Sequence, residues 1–324
     1  MSRPGDQLAR AAAARFGISP RSELEFIRHG ENTTFRVRTP DGDALALRLN
    51  RPGYHRPDAL RSELMWMAAL HEAGIQTPAP LKGIDGEEIQ HLGGEPNTDH
   101  TAVMFTWVPG VPLSSLATSA PWQALGELMA SIHNHARSWR PPLGFTRPAW
   151  DAEALVGDEP RWGDPDPHGV FSDAVRSAIA KCRAEVARRL RAIGTDPSDY
   201  GLIHGDLGFE NVLVDNGVPN VIDFDDCGTG WFGHELAVAL YPYEGTPRFE
   251  AARDALIRGY RRRGPLSDAM LDELPTFLMA RRLSTLGWVF SRPETEHAAA
   301  QRGRRLCTTP AALSRFLVWA RDSS

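Results

Sequence analysis

The stretch HGDLGFENVLVDNGVPNVIDFDD, residues 204–226, constrains this chain more than any other. It spaces His204, Asp206 and Asn211 as H-x-D-x-x-x-x-N, and places Asp223 twelve residues further on, between Ile222 and Phe224. Two short apolar runs, VLVD and NVID, flank Asn216-Gly217, a dipeptide suited to a two-residue hairpin turn. Such a hairpin returns Asp223 beside Asn211. Phosphoryl transfer from a nucleoside triphosphate needs these residue types: a carboxylate to orient a hydroxyl and accept its proton, and oxygen ligands for a metal at the phosphates. Asn and Asp oxygens are hard ligands that suit Mg²⁺. Taken singly, Asp206 reads as a turn cap, Asn211 as a loop residue and Asp223 as a surface carboxylate. Their joint spacing between strand-like runs favours the chemistry.

Upstream of this stretch the pattern divides the chain. FRVRT (35–39) and ALALRLN (44–50) read as a hairpin across Asp41-Gly42, with Leu45, Leu47 and Leu49 at strand period. ALRSELMWMAALHEAG follows as an amphipathic helix stopped by Gly74. TAVMFTWV (101–108) is a strong strand before Pro109-Gly110. From 111 onward helices dominate, beginning near Pro121, with a long one from Asp173 to Gly194. The expected layout is a small strand-rich lobe over 1–107 and a larger helical lobe over 111–324, joined at 108–110. A cleft at the junction is a usual place for a ligand.

A second constellation sits in the first lobe. LALR puts Arg48 where protein kinases carry the lysine of V-A-I-K, and Glu63 follows on the next helix. A strand cation paired with a helix glutamate grips nucleotide phosphates. Of the 36 basic residues only Lys82 and Lys181 are lysines, so a role usually filled by lysine can appear here as arginine. RHGENTTFRV stands where a glycine-rich phosphate loop would stand. It offers Gly30, Asn32 and Thr33 but no G-x-G-x-x-G, and the chain has no G-x-x-x-x-G-K-[ST].

Composition narrows the classes. The 324 residues carry a net charge of −5 and a pI near 6.1, which disfavours a nucleic-acid binder. Cys182, Cys227 and Cys307 form no C-x-x-C pair, so a disulfide-built secreted domain is excluded and a reducing cytoplasm is expected. No apolar run reaches the ~20 residues of a membrane helix. The N-terminal alanine run, broken by Arg10 and Arg15, reads as a short helix ending at Gly17 rather than a signal peptide.

Together these residues resemble the aminoglycoside phosphotransferase/choline kinase-like family. His204-Gly205-Asp206 with Asn211, and Ile222-Asp223-Phe224-Asp225, match its H-G-D-x-x-x-x-N and I-D-F/W-D/E motifs. The resemblance covers residues 25–290 or so. FIRHGENTTFRV, LRLNRPGYH and FLMARRLSTLGWVFSR look most like the branch of homoserine kinase type II-like and bacterial stress-response Ser/Thr kinase-like proteins. The resemblance implies an α+β, bilobal, protein-kinase-like fold with a small antiparallel-sheet N-lobe and a larger, mostly helical C-lobe. It implies ATP and Mg²⁺ as cofactors, Asp206 as catalytic base, and Asn211 and Asp223 as metal ligands. Arg48, paired with Glu63, holds the α- and β-phosphates in this reading, and the chain at Phe105, Trp107 and Val108 receives adenine. Asp225 is a further residue near the metal, and His204 braces the catalytic loop. HELAVAL puts Glu235 where the family usually has D-L-A. The longer carboxylate is expected to alter packing rather than remove chemistry.

The expected function is ATP- and Mg²⁺-dependent transfer of the γ-phosphoryl group to a hydroxyl of a small amino alcohol, amino acid or sugar-like compound. A protein Ser/Thr acceptor is the alternative within the class, and a non-catalytic nucleotide-binding scaffold the alternative outside it. No nucleic-acid or membrane partner is expected. Trp231, Tyr241, Tyr243, Tyr260 and Trp288 are weighed as an aromatic cage for a quaternary ammonium, and Asp225, Asp226, Glu235 and Glu244 as an acidic groove for a polycation. His133 and His135 read as one inward and one outward histidine, Cys227 as inert packing, and Arg261–Arg263 as a solvated helix end.

Overall fold

A computed structural model describes residues 5–93, 100–115 and 120–323. In chain order its elements are α1 (Asp6–Arg15), β1 (Glu23–His29), β2 (Thr33–Arg38), β3 (Ala44–Leu49), α2 (Pro57–Glu72), β4 (Pro80–Leu81), β5 (Ile89–His91) and β6 (Thr101–Thr106). Then come β7 (Val111–Pro112), α3 (Pro121–Ser138), β8 (Ala149–Trp150), α4 (Ala152–Val156), α5 (Asp173–Ile193) and β9 (Tyr200–Ile203). The hairpin β10 (Val212–Asp215) and β11 (Val218–Val221) precedes β12 (Gly228–Trp231) and α6 (Phe232–Leu240). The chain ends with α7 (Phe249–Arg263), α8 (Asp268–Asp272), α9 (Leu274–Ser291) and α10 (Glu296–Asp322).

Two compact units result. The first holds residues 1–111, 141–146 and 213–225; the second holds 112–140, 147–212 and 226–324. The hairpin after the catalytic loop, which the sequence reading leaves in the helical lobe, thus groups with the strand-rich unit.

The first unit is built on an antiparallel sheet ordered β1-β2-β3-β6-β4, with β5 also on β6. Phe35, Val37, Leu47, Leu49, Ala102 and Met104 point to one face, where Ala9, Ala12 and Ala13 of α1 seal them from water. Small residues on α1 let the helix lie close to the sheet. β1 lies outside the strands expected from sequence. Six of its seven residues are exposed, as befits an edge strand, while Leu24 packs on the core and Phe26 meets Phe35 edge-on. At the β10–β11 turn Asn216 and Gly217 take φ of 49° and 81°, the doubly left-handed geometry that Asn-Gly tolerates.

The second unit is helical around α9, whose residues are buried on all sides against α5, α6 and α10. α3 and α7 meet closely because each offers a glycine. A Cβ on Gly126 would stand 2.1 Å from the Leu256 carbonyl oxygen, and one on Gly259 2.0 Å from that of Gln123. A small sheet, β8-β12-β9, supports the chain leading into the loop that begins at His204. Among the described residues no helix is long and apolar enough to cross a membrane.

Candidate active site

The candidate residues fall in both units. In the first, Arg48 on β3 and Glu63 on α2 form a buried, two-pronged ion pair, with Nη1–Oε1 at 2.6 Å and Nη2–Oε2 at 3.0 Å. Burial works against the guanidinium charge, but Glu63, then Asp225 and Asp223, outweigh it and raise the Arg48 pKa. Arginine is suited to this place because its planar fork meets both carboxylate oxygens at once.

The segment after β11 is pinned by Phe224, whose ring meets Trp66 of α2 edge-on at 5.6 Å between centroids. Asp223 has φ of 68°, a left-handed backbone that a residue with a Cβ seldom adopts. Its carboxylate pairs with Arg28 of β1. Asp225 is buried, with His55 Nε2 3.3 Å from its Oδ1. Burial opposes its ionisation, yet His55, the Arg48 charge and the Asn32 amide hold it well below the usual carboxylate range.

Gly30 and Asn32 lie in the turn between β1 and β2, and Thr33 opens β2. The Gly30 amide donates to the Asn32 carbonyl at 2.9 Å. The Asn32 side chain accepts from the Arg51 amide at 3.0 Å, and Thr33 Oγ1 stands 2.8 Å from His29 Nδ1. At the expected hinge the Phe105 side chain is buried, and Arg36 lies 4.3 Å over the Trp107 ring. The Thr106 and Trp107 amides are spent on Ala79 and Ala44 carbonyls.

In the second unit the loop after β9 is held from beneath. Glu235 of α6 accepts from the His204 amide at 2.6 Å and the Gly205 amide at 2.9 Å. The longer stem seen in the sequence therefore still reaches the loop. Burial opposes the Glu235 charge, but His133, 3.6 Å away, together with His204 keeps its pKa below the ordinary value. His133 in turn sits 2.8 Å from the Tyr260 hydroxyl. His204 Nδ1 accepts from the Asp206 amide at 3.3 Å, so the ring braces the loop. Gly205 has φ of 83°, and a Cβ there would meet the Asp226 carbonyl oxygen at 2.4 Å.

Asp206 emerges from this support with a side chain 43% exposed. Its Oδ1 accepts from Arg281 Nη2 at 2.6 Å and its Oδ2 from Asn211 Nδ2 at 3.1 Å. Asn211 Nδ2 also donates to the Asp206 carbonyl at 2.9 Å. The carboxylate is thus fixed on both oxygens.

Among the described residues no three His, Cys, Asp or Glu side chains form a metal cage. Magnesium does not require one, since it binds through one or two protein oxygens, waters and phosphates. The donor chemistry fits. Asn211 spends its amide nitrogen on Asp206, which leaves its carbonyl oxygen as the ligating end. Asp223 supplies a hard carboxylate.

Several residues were noted in the sequence, singly or within the segments that carry the resemblance, but not in the contacts they make. Arg281, His55, Arg28, His133 and Tyr260 lie far in sequence from the motifs they serve. The cage reading finds no support: Trp231 packs on Tyr200 and Phe277, Tyr243 on Trp122, Tyr260 on His133, and Trp288 on His297. The acidic-groove carboxylates are internally matched, Glu235 by amides and Glu244 by Arg282. Arg261 pairs with Asp268, and Arg262 and Arg263 pair with Glu127.

This fold, with a strand-borne cation pair and an H-G-D loop, is that of the protein-kinase-like phosphotransferases. Residues 23–271 match the model of the phosphotransferase enzyme family, and the chain belongs to that family. It is a kinase with an alcohol group as acceptor. It is similar to a homoserine kinase of Gluconacetobacter diazotrophicus, 30% identical over 284 residues, covering 83% of this chain and 81% of the relative. A microcompartment-associated aminopropanol kinase superposes with a TM-score of 0.88 at 31% identity, over 97% of this chain and 98% of the other. An amicoumacin kinase solved in complex with AMP-PNP, Ca²⁺ and Ami shares the fold, with a TM-score of 0.75 at 20% identity, over 95% and 93% of the two chains.

Proposed function

We propose that the chain transfers the γ-phosphoryl group of ATP to the hydroxyl of a small molecule, with Asp206 as the base. The observation that carries this reading is the half-exposed Asp206 carboxylate, fixed on both oxygens by Arg281 and Asn211. A base held in one rotamer needs little reorganisation when the acceptor arrives. The acceptor oxygen bonds to the γ-phosphorus as the bond to the β-bridging oxygen breaks. ADP leaves, and the hydroxyl proton passes to Asp206. Arg48, anchored by Glu63, contacts the α- and β-phosphates. Asn211 and Asp223 hold magnesium, which when bound neutralises charge on the phosphate oxygens. With the Thr106 and Trp107 amides engaged, reading of adenine falls to Val108. The relatives named for homoserine and aminopropanol support a small acceptor over a protein one.

The test is phosphate transfer from labelled ATP to a metabolite extract, with two variants. Asp206→Asn is expected to abolish labelling while retaining most ATP affinity. Asp223→Ala is expected to weaken nucleotide binding in the presence of magnesium. Wild-type turnover in Asp206→Asn would sink the assignment.

A further inference from the structure

The second unit carries more buried cation than its carboxylates match. Arg281 and Arg282 are neighbours on α9, and Arg305 faces them electrostatically from α10. Arg281 is matched by Asp206. Arg282 is matched by Glu244, with Nη2 at 2.5 Å and Nε at 3.2 Å, and its Nη1 donates to Thr308 at 3.1 Å. Arg305 differs. Among the described residues no carboxylate pairs with it. Its Nε, at 3.0 Å, and its Nη2 both donate to the neutral Gln301 amide oxygen one turn back. Its Nη1 is buried and has no hydrogen-bond partner.

The place of this cation matters. Arg305 lies over the Tyr241 ring at 5.5 Å, and Arg282 lies over the same ring at 5.1 Å. Burial pushes the Arg305 pKa down to about 10, while the charges of Arg281, Arg282 and Asp206 all reach it. Arg305 therefore stands in the electrostatic field of the proposed base. Other polar atoms nearby are also unspent. Arg281 Nε is buried without a partner, as are both ring nitrogens of His234, whose titration Arg281 affects. Buried charges are normally paired, and a buried guanidinium with a free Nη1 and only a neutral amide on its other edge calls for an anion.

We propose that Arg305, backed by Arg281 and Arg282, is the anion-recognition residue of the acceptor site, and that the acceptor carries a carboxylate besides its reacting hydroxyl. The proposal rests on the reading of Asp206 as the base. It separates hydroxy acids and hydroxy amino acids from plain amino alcohols, which offer Arg305 nothing.

The test uses the full chain and matched probes: L-homoserine against 3-amino-1-propanol, and glycerate against ethylene glycol. Each pair differs by one carboxylate. Binding is read by calorimetry without turnover, and transfer by ADP release with Mg²⁺-ATP. The wild type is expected to favour the carboxylate member about 10- to 100-fold, the range of a charge-assisted hydrogen bond. In Arg305→Gln that ratio is expected to collapse toward unity, chiefly through KM, and Arg305→Lys is expected to restore part of it. The wild-type comparison needs no variant to fold. No discrimination by the wild type, no measurable binding of either carboxylate probe, or an equal loss on both members in Arg305→Gln overturns the proposal. Equal loss would place Arg305 on the transferred phosphate instead. Discrimination in calorimetry without transfer leaves the anion site standing and rejects the phosphotransfer reading for these acceptors.

Discussion

At the scale of single residues, the site depends on carboxylates that are spent in different ways. Glu63 and Glu235 are both buried, one gripping a guanidinium and the other two backbone amides. Removing Glu235 would leave the His204 and Gly205 amides buried and unpaired. Glu235→Ala is therefore expected to cost roughly 2–4 kcal/mol of stability, and to lower kcat as the loop under Asp206 loosens. Glu235→Gln retains one acceptor and should cost less. Equilibrium urea unfolding of the three proteins checks the order. The motif residues Asp206, Asn211 and Asp223 were readable in the sequence because their spacing reflects local chain geometry. The contact of Arg281 was not, because 75 residues separate it from Asp206, and the segment FLMARRLSTLGWVFSR carries the resemblance without saying what its arginines touch.

At the scale of elements, close approach decides what packs. α3 and α7 present Gly126 and Gly259 to each other's carbonyl oxygens. Gly126→Ala and Gly259→Ala should each destabilise by about 1–3 kcal/mol, since a methyl group there forces the helices apart. The double variant is expected to cost less than the sum, because the first substitution opens the gap that the second needs. Thermal melts of the two singles and the double measure this. Helices α2, α3 and α5 and the β2–β3 and β10–β11 hairpins carry their own periodicity and turn signals. β1 carries only a short one: Leu24 and Phe26 alternate with Glu23 and Glu25, and the pattern breaks at Ile27.

At the scale of the whole molecule, buried titratable groups set an acid limit. Burial pushes His234 down to about 3, with the Arg281 charge adding to it, and burial lowers His133 despite Glu235. The unfolded chain protonates both rings near pH 6.5, the ordinary histidine value. Below that pH it binds protons that the native state refuses, so stability falls as the medium becomes more acidic. Glu235 and Asp225, both held below ordinary carboxylate values, extend the loss below the normal carboxylate range. The urea midpoint is expected to drop between about pH 7 and pH 5, and less steeply in His234→Phe, which removes one titrating ring. An unchanged slope in that variant would place the acid sensitivity elsewhere.

The sequence by itself determined the family, through the two motifs that carry the resemblance, and with it the α+β class. Strand and helix period and turn chemistry divided the chain into its strand-rich and helical parts. It also suggested the Arg48–Glu63 pair, since one strand and the helix after it lie close in the chain. Only the tertiary structure decided what surrounds those residues: the Glu235 clasp beneath the loop, the Arg281 contact on Asp206, and the unmatched guanidinium of Arg305. Each depends on helices whose separation along the chain leaves no periodic trace. Burial then gives those contacts their strength, because a charge removed from water must find its partner within the fold.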